Sequence, residues 1–346
     1  MSAVSTQSGA WAKGRAQTGP VFSCVMTMFN EGPLLRRAAA SVLGQSHPAL
    51  ELILVDDGAD DATRAIAQEI AADDRRVRLI RQANAGLSAA RNRGLEHVRG
   101  DYVCFLDADD ARPPWAFAAA AEVIRRDAPD LALQRGVLSE VDGDMRRFYD
   151  AAHFDRLREL LGENPIETGA AEESMARALA HLIEPQAANK FVRVDFLRAR
   201  RLGFPNGRVF EDMLFHAMAV AQAARISIIH APGFAYHRRY GRPQITSSSD
   251  ERRFDAIAVA RMTFALLERT PSFADPLRRS AAAAAALRLV RWCESCVGHQ
   301  HRWNFRMAVR AAMRGVDPRW SVIAADTPLA RAELDALRRY AKEVFA

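Results

Sequence analysis

The sequence predicts an α/β protein with an open, mostly parallel sheet and a helical region at its carboxy terminus. Between residues 21 and 106, short β-rich runs alternate with runs of helical periodicity, a pattern typical of parallel strands joined by crossover helices. Beyond residue 250 only helical runs follow. A chain of 346 residues, 49% apolar and 26% charged, exceeds what one core usually supports, so one large domain with a smaller appendage is expected.

In the first half of the chain, predicted strands alternate with predicted helices. The strand runs are VFSCVMTM (21–28), LELILV (50–55), VRLIR (77–81) and YVCFL (102–106), and the helical runs between them are LLRRAAASVL, DATRAIAQEIA and GLSAARNRGLEHV. Pro33 suits a first helical turn, and Asp60 or Asp61 can cap the second helix. In the tail, ERRFDAIAVARMTFALLERT, RRSAAAAAALRLVRWCESCV and RWNFRMAVRAAMRG predict further helices.

Polar residues and glycines, together with the aromatic Phe29, lie at the ends of the four predicted strands. They are Thr27, Phe29, Asn30 and Glu31, then Asp56, Asp57 and Gly58, then Asn84 and Gly86, and finally Asp107, Asp109 and Asp110. Loops at the carboxyl ends of parallel strands converge, so these groups are expected around one cleft. Asp, Asn and Gly are common in any turn, and it is the agreement of four strand ends that favours a site.

The segment FLDADDARPPW (105–115) places three carboxylates directly after a strand. Adjacent carboxylates in a partly dehydrated cleft repel each other, so one must take a proton or a cation must join them. An oxygen-rich site suits Mg²⁺ or Mn²⁺, and such a metal would bring a diphosphate. An Asp-x-Asp pattern by itself also occurs by chance in surface turns.

Residues 21–112 resemble the nucleotide-binding half of the family 2 glycosyltransferases, and the block ANKFVRVDFLRARRLGFPNGRVFEDMLFHAMAVAQAARISIIHAPGFAYHRR (188–239) resembles their acceptor half. The resemblance implies the GT-A nucleotide-diphospho-sugar transferase fold, which is Rossmann-like. It also implies an inverting transfer of a hexose-like sugar from a nucleotide donor, with uridine diphosphate as the expected carrier, to a hydroxyl of a glycan or lipid-linked acceptor. Synthesis of envelope polysaccharide is the expected process.

The resemblance also implies roles for individual residues. It places Thr27, Phe29 and Glu31 at the nucleoside, Asp57 at the uracil edge, Arg91 near the nucleotide, Asp107 at the ribose or the water shell of the metal, and Asp109 on Mn²⁺ or Mg²⁺. Many members have Pro-x-Tyr-Asn-Glu where this chain has Thr-Met-Phe-Asn-Glu. The missing tyrosine hydroxyl removes one hydrogen bond and leaves stacking intact.

Asp212 matches the catalytic base of the family, and Glu211 is its rival. An acceptor hydroxyl needs a carboxylate within hydrogen-bond reach to take its proton, while a divalent cation offsets the charge of the leaving diphosphate. One displacement inverts the anomeric carbon, so an α-linked donor is expected to give a β-linked product. Neighbouring residues of a helix point about 100° apart, so only one of the two acids can aim fully into the cleft. Acids at a helix N-terminus also occur for the helix dipole alone.

Two further regions are less specific. His237, Arg238 and Arg239 begin a loop that could fold over the diphosphate or serve as a solvated linker. Sugar and acceptor contacts are expected among residues 113–187, where Gln134, Arg135, His153 and Gln186 are unranked candidates.

The tail carries the net positive charge of the chain, since residues 251–346 contain 17 Lys and Arg against 10 Asp and Glu. Arg302, Arg306, Arg310 and Arg314 recur every four residues as one basic stripe. The stripe could rest on anionic lipid headgroups, steer a polyanionic acceptor, or be the solvated face of a bundle. Cys293 and Cys296 are interpreted as packing residues rather than zinc ligands, because a structural zinc site usually draws its second ligand pair from another element.

The predicted organisation is a disordered tail (1–20), a GT-A domain (21–245, with halves 21–112 and 113–245) and a helical domain (251–346). Four cysteines and no apolar leader favour a cytoplasmic protein, peripheral at the inner face of the plasma membrane through its carboxy-terminal helices.

Two alternatives are a non-catalytic binder of nucleotide sugars or polyanions and an aspartate-nucleophile phosphotransferase, whose Asp-x-Asp would follow the first strand. No G-x-G-x-x-G follows the first strand, which disfavours a dinucleotide oxidoreductase, and no nucleic-acid partner is expected.

Overall fold

The computed structural model describes residues 19–140, 144–237 and 248–346. Its centre is one mixed sheet, and the strands found within these residues are β1 (Phe22–Met28), β2 (Leu50–Asp57), β3 (Val77–Gln82), β4 (Tyr102–Phe105), β5 (Leu131–Ser139), β6 (Met145–Arg147), β7 (Ile166–Glu167), β8 (Lys190–Arg193) and β9 (Arg225–His237). Their spatial order is β3-β2-β1-β4-β8-β5-β9-β7, with β6 paired to β5.

Strands β1 to β4 are mutually parallel, as the alternation of strand and helix predicts. Strand β8 runs antiparallel between β4 and β5, and β9 is parallel to β5. The predicted mixed α/β fold with a mostly parallel sheet is therefore confirmed. Strand β4 belongs to the sequence block 21–112 and β8 to the block 188–239. Their pairing therefore makes one continuous sheet from both blocks.

Helices cover both faces of this sheet up to residue 222. They are α1 (Pro33–Leu43), α2 (Asp61–Asp73), α3 (Leu87–Leu95), α4 (Ala116–Asp127), α5 (Ala151–Leu161), α6 (Glu173–Leu182), α7 (Val194–Ala199) and α8 (Asp212–Gln222). Pro33 opens α1, and the Asp60 carboxylate caps α2 by accepting a 2.7 Å hydrogen bond from the Thr63 amide. Pro33 and Asp60 therefore mark the starts of these two helices, as the sequence predicts.

The carboxy-terminal helices pack onto α6 and α8. They are α9 (Asp255–Leu267), α10 (Pro271–Ala274), α11 (Pro276–Cys296), α12 (Arg302–Met313) and α13 (Arg331–Phe345). One apolar cluster joins Phe210, Met213 and Leu214 at the start of α8 to Val290 and Phe305 of the tail. The tail therefore shares a core with the element that begins at Asp212, and the predicted domain boundary near residue 250 stays a prediction.

A buried arginine fixes the exit of β4. Arg112 is 3% exposed and donates hydrogen bonds of 2.8–2.9 Å to the carbonyl oxygens of Phe105, Ala188 and Gly233. These three carbonyls belong to separate parts of the chain, so one guanidinium ties them together around the loop that contains the Asp-x-Asp pattern. Each hydrogen bond from a charged donor contributes on the order of 1.5–3 kcal/mol.

Other predictions concern the termini and the cysteines. The predicted amino-terminal tail falls almost wholly on residues 1–18, which lie outside the described residues. Cys24 and Cys104 are fully buried and face each other in the register of β1 and β4, as expected of small core residues. Cys293 is buried within the helical tail. Among the described residues, no helix combines the length and the apolar content that crossing a bilayer requires.

Candidate functional site

Arg91 of α3 brings together two acids from distant parts of the chain. Its Nη2 lies 2.7 Å from Asp107 Oδ1, at the exit of β4, and its Nη1 lies 2.5 Å from Glu211 Oε1, just before α8. Arg91 is 4% exposed and its guanidinium also lies 5.3 Å from the ring of Phe204. The two sequence blocks thus meet at one buried charge.

The three carboxylates after β4 have different surroundings. Asp107 is partly exposed, with 38% of its side-chain area accessible, and contacts Arg91. The Asp109 carbonyl oxygen accepts a 3.0 Å hydrogen bond from Arg37 of α1. Asp110 is 2% exposed, and its Oδ1 accepts a 3.0 Å hydrogen bond from the His237 amide. Asp110 therefore anchors the end of β9, whereas Asp107 borders the cleft.

The loop that ends at Glu211 is held in an unusual conformation. Phe210 has φ = 65°, a left-handed conformation that is a genuine outlier for a bulky residue and costs about 1–3 kcal/mol. Its ring packs edge-on against Trp292 of α11, 6.0 Å between centroids. The Asp255 carboxylate, at the start of α9, accepts hydrogen bonds from the Val209 amide (3.0 Å) and from Arg208 (2.8 Å). The tail helices therefore hold the loop that orients Glu211.

Burial and mutual charge shift the pKa values of this cluster. Burial would lower the pKa of Arg91, but the charges of Asp107 and Glu211 outweigh it, so its pKa is raised. Burial raises the pKa of Glu211 against the lowering effect of Arg91. Burial and then the Glu211 charge raise the pKa of Asp212 to about 7, with Arg91 and Lys190 opposing. The pKa of the Asp212 carboxylate therefore lies near neutral pH.

Asp212 and Glu211 differ in accessibility. Glu211 is 4% exposed and is engaged by Arg91, whereas Asp212 is intermediate in exposure and begins α8. A buried, ion-paired carboxylate such as Glu211 holds neighbouring residues in place. A more accessible carboxylate with a raised pKa, such as Asp212, can exchange a proton with a substrate.

Lys190, the first residue of β8, belongs to the same electrostatic network and was not predicted as a site residue. It is fully buried, and its Nζ donates hydrogen bonds of 2.6 Å to Gln186 O and to Asn189 Oδ1. Burial lowers the pKa of Lys190 to about 7, opposed by the charges of Asp212 and Asp150. One signal was available in the sequence: lysine occurs only at positions 13, 190 and 342, so a lysine inside the second block is unusual for this arginine-rich chain.

The end of β1 forms a compact turn with an exposed aromatic ring. Phe29 is 43% exposed, and its amide donates a 2.7 Å hydrogen bond to the Glu31 carboxylate. Asn30 Oδ1 accepts a 2.8 Å hydrogen bond from the Asp60 amide, which ties this turn to the start of α2. Thr27 is of intermediate exposure at the same strand end. An exposed ring on a fixed turn can stack on a planar base.

Asp57, at the end of β2, anchors the loop after β3. Its Oδ1 accepts 2.8 Å hydrogen bonds from Gln82 Nε2 and from the Ala85 amide, and its Oδ2 accepts a 2.9 Å bond from the Gly86 amide. Asp57 is 6% exposed. The loop that leads into α3, and hence to Arg91, is therefore fixed by this carboxylate.

The remaining predicted residues are placed as follows. Arg238 and Arg239 of the predicted lid lie outside the described residues, while His237 ends β9 beside Asp110. Gln134 is fully buried and donates to the Ala116 carbonyl, so it packs within the core. Arg135 lies 3.5 Å from Asp155, and burial lowers the pKa of His153 to about 4.

The residues at the exit of β4 suit a hard divalent cation. Asp107 and Asp109 provide carboxylate oxygens at a partly exposed strand end, and Mg²⁺ is commonly held by one or two carboxylates together with substrate phosphates. Within residues 19–140, 144–237 and 248–346 no group of three or more His, Cys, Asp and Glu side chains is arranged to hold a metal ion. A metal here would therefore draw further ligands from a bound diphosphate.

The chain is similar to one protein-family model and to several known bacterial proteins. Residues 23–176 match the family model described as glycosyl transferase family 2. EpsH of Bacillus subtilis (strain 168) is 28% identical over 243 residues, covering 68% of this chain and 66% of that protein. The succinoglycan biosynthesis protein ExoO of Rhizobium meliloti (strain 1021) is 29% identical over 224 residues, covering 64% of this chain and 62% of ExoO. The chain thus matches just under two thirds of the length of these relatives.

The fold has a solved counterpart that includes the tail helices. The structure of S. aureus TarS 1–349 in complex with UDP-GlcNAc superposes with a TM-score of 0.71 at 18% sequence identity, over 94% of this chain and 89% of that one. The similarity therefore covers both the mixed sheet and the carboxy-terminal helices.

Proposed function

Residues 23–176 of this chain belong to glycosyl transferase family 2, and on that premise we propose that the protein transfers a sugar from a nucleoside diphosphate to an acceptor hydroxyl. The observation that supports this most directly is the meeting of Asp107 and Glu211 on Arg91, with Asp212 beside them. Arg91 thereby links the Asp-x-Asp loop to the residue that precedes Asp212, which we propose as the base. The TarS complexes with UDP-GlcNAc and with UDP support a uridine diphosphate donor.

In the proposed reaction the acceptor oxygen attacks the anomeric carbon and the bond from that carbon to the diphosphate oxygen breaks. Asp212 takes the hydroxyl proton as the new bond forms, and inversion follows from the single displacement. Arg91 holds Asp107 and Glu211 in place, and the ring of Phe29 stacks on the nucleobase of the donor. Asp107 and Asp109 would hold Mg²⁺ or Mn²⁺, which when bound offsets the negative charge of the diphosphate. The acceptor class, a glycan or a lipid-linked glycan, is supported by the name of ExoO.

A panel of sugar nucleotides with Mn²⁺, assayed by released nucleoside diphosphate, tests the proposal. We expect one or a few UDP-sugars to release diphosphate. The release should be slow without acceptor, when water hydrolyses the donor, and faster once an acceptor polysaccharide is added. Absence of diphosphate release across the whole panel, with and without acceptor, would overturn the proposed transfer.

Removing Asp109 tests the metal proposal. In the D109A variant we expect the gain in UDP affinity given by Mn²⁺ to fall at least about tenfold, since a hard cation loses a carboxylate ligand. Affinity measured in chelator should stay within about twofold. Calorimetric titration of UDP with Mn²⁺ and with chelator measures both values. The matched control is D73A, at an exposed position at the end of α2; an equal Mn²⁺ effect in D109A and D73A would contradict the assignment.

The raised pKa of Asp212, about 7, sets the expected pH dependence of transfer. The base must be deprotonated, so kcat/KM should fall by about tenfold per pH unit below this value and level off above it. Because the Lys190 charge lowers the pKa of Asp212, the K190M variant should move this acid limb to higher pH. Rate profiles between pH 5 and 9 for both proteins measure the shift. A K190M limb at the parental position or lower would contradict the coupling.

A further inference from the structure

A cavity of about 400 Å³ lies among α11, α12 and α13, on elements other than those that bear Asp107, Arg91 and Asp212. All three helices contribute arginines to it, namely Arg291 from α11, Arg302 and Arg306 from α12, and Arg339 from α13. A volume of this size is within the usual range for small-molecule sites, about 300–1,000 Å³. Two arginines of the basic stripe on α12, Arg302 and Arg306, therefore line a concave surface.

The charges of this cavity are only partly balanced. Glu294 is 7% exposed and is fully engaged, since it accepts from Arg306 (Nη2–Oε1 2.6 Å) and from the Tyr340 hydroxyl (2.8 Å). Glu343 is the other acid in the lining. Two carboxylates therefore face four guanidinium groups, and Glu294 is committed to one of them.

Two of the arginines have no partner within the described part of the chain. Arg291 and Arg339 are exposed and make neither a hydrogen bond nor an ion pair with any described residue. Arg302 donates one 3.3 Å hydrogen bond to the Ser295 carbonyl and, among the same residues, contacts no carboxylate. Like charges that converge in a concave site repel, and a bound anion relieves that repulsion.

Arginine is suited to one class of anion above others. Its planar guanidinium donates paired hydrogen bonds to phosphate oxygens, and each such charge-assisted bond is about twice as strong as a neutral one. Trp303, next to Arg302, is 71% exposed, and an exposed tryptophan beside cationic side chains is typical of surfaces that meet lipid headgroups. A solvated helix face also has arginines, but it does not gather them from three helices around a cavity.

We infer that this cavity, bounded by Arg291, Arg302, Arg306 and Arg339, is a second binding site that takes a phosphate-bearing anion. The phosphate could be that of a soluble phosphomonoester or phosphodiester, or that of an anionic lipid headgroup. The inference does not depend on the proposed transfer reaction, because none of its residues belongs to the cluster around Arg91.

Hydrogen–deuterium exchange of the full chain, read at peptides of α11, α12 and α13, tests the inference and separates binding here from binding at the donor site. The probes are sn-glycerol 3-phosphate at millimolar concentration, phosphatidylglycerol vesicles and phosphatidylcholine vesicles. We expect slower exchange around residues 291–306 and 336–343 with glycerol phosphate, with phosphatidylglycerol, or with both, and no change with phosphatidylcholine. Protection by glycerol phosphate identifies a soluble ligand, and protection by phosphatidylglycerol alone identifies a headgroup.

Two double variants complete the experiment. R291Q/R339Q removes the two unpartnered arginines and should weaken binding of the protecting probe by at least about tenfold. R75Q/R261Q makes the same change of charge at exposed arginines on α9 and beside β3 and should leave binding within about twofold. Protection by neither anionic probe would overturn the inference. Equal loss of binding in both double variants would also overturn it, since it would indicate general charge attraction rather than a site.

Discussion

The D212N variant is expected to lose at least about a hundredfold in kcat while binding UDP as tightly as the parent protein. General-base catalysis contributes about 10²–10⁴-fold, and an amide cannot accept the proton of the acceptor hydroxyl. The replacement keeps the shape of a partly exposed side chain at the start of α8, so the fold and the nucleotide site should be unaffected. Steady-state transfer with the donor found in the panel, together with calorimetric titration of UDP, measures both quantities.

Two matched variants sharpen this test. D195N makes the same chemical change at an exposed position of α7 and should keep parental kcat. E211Q removes the charge that meets Arg91 and is expected to act mainly through stability and donor affinity. If D212N turned over at the parental rate while E211Q lost activity a thousandfold, Glu211 would be the base and the assignment would be wrong.

Replacing Arg91 is expected to have the second large effect. The R91M variant leaves Glu211 buried without its partner and removes the charge opposite Asp107. Breaking a buried ion pair by removing one partner costs about 3–5 kcal/mol. We therefore expect the free energy of unfolding to fall by about that amount and transfer to fall at least a hundredfold, on the order of the 10²-fold loss that a small misplacement of catalytic groups produces. Urea unfolding and product formation are the measurements.

A double variant separates the two effects. In R91M/E211Q the buried carboxylate is neutral, so roughly 1–3 kcal/mol of the lost stability should return, whereas activity should stay low because Asp107 still lacks its partner. R93M, which breaks an exposed pair between α3 and Glu96, the residue that follows this helix, should change stability by less than about 1 kcal/mol. No recovery of stability in the double variant would contradict a direct Arg91–Glu211 coupling.

The predicted α/β fold class is confirmed and residues 23–176 match the model of the predicted family, because both predictions depend on local signals. Alternating apolar runs gave the four parallel strands, and Pro33 and Asp60 marked two helix starts. The roles of single residues in the predicted site stay predictions.

Long-range contacts were not predictable from the sequence. Nothing in it indicates that the Arg112 guanidinium would meet three carbonyl groups, or that the carboxylate of Asp110 would hold β9 rather than border the cleft. Phe210 gives no local sign of its left-handed conformation or of the contact that its ring makes with Trp292 of the tail.

The strand order has a consequence for biosynthesis. The edge of β4 that faces away from β1 pairs with β8, through Tyr102 with Arg193 and Val103 with Val192. A nascent polypeptide that has left the ribosome only up to residue 176 therefore has β4 and β5 complete but lacks β8 and β9, which lie beside them in the sheet. Unpaired strand edges invite aggregation, so chaperone protection should matter most until β8 and β9 have been synthesised.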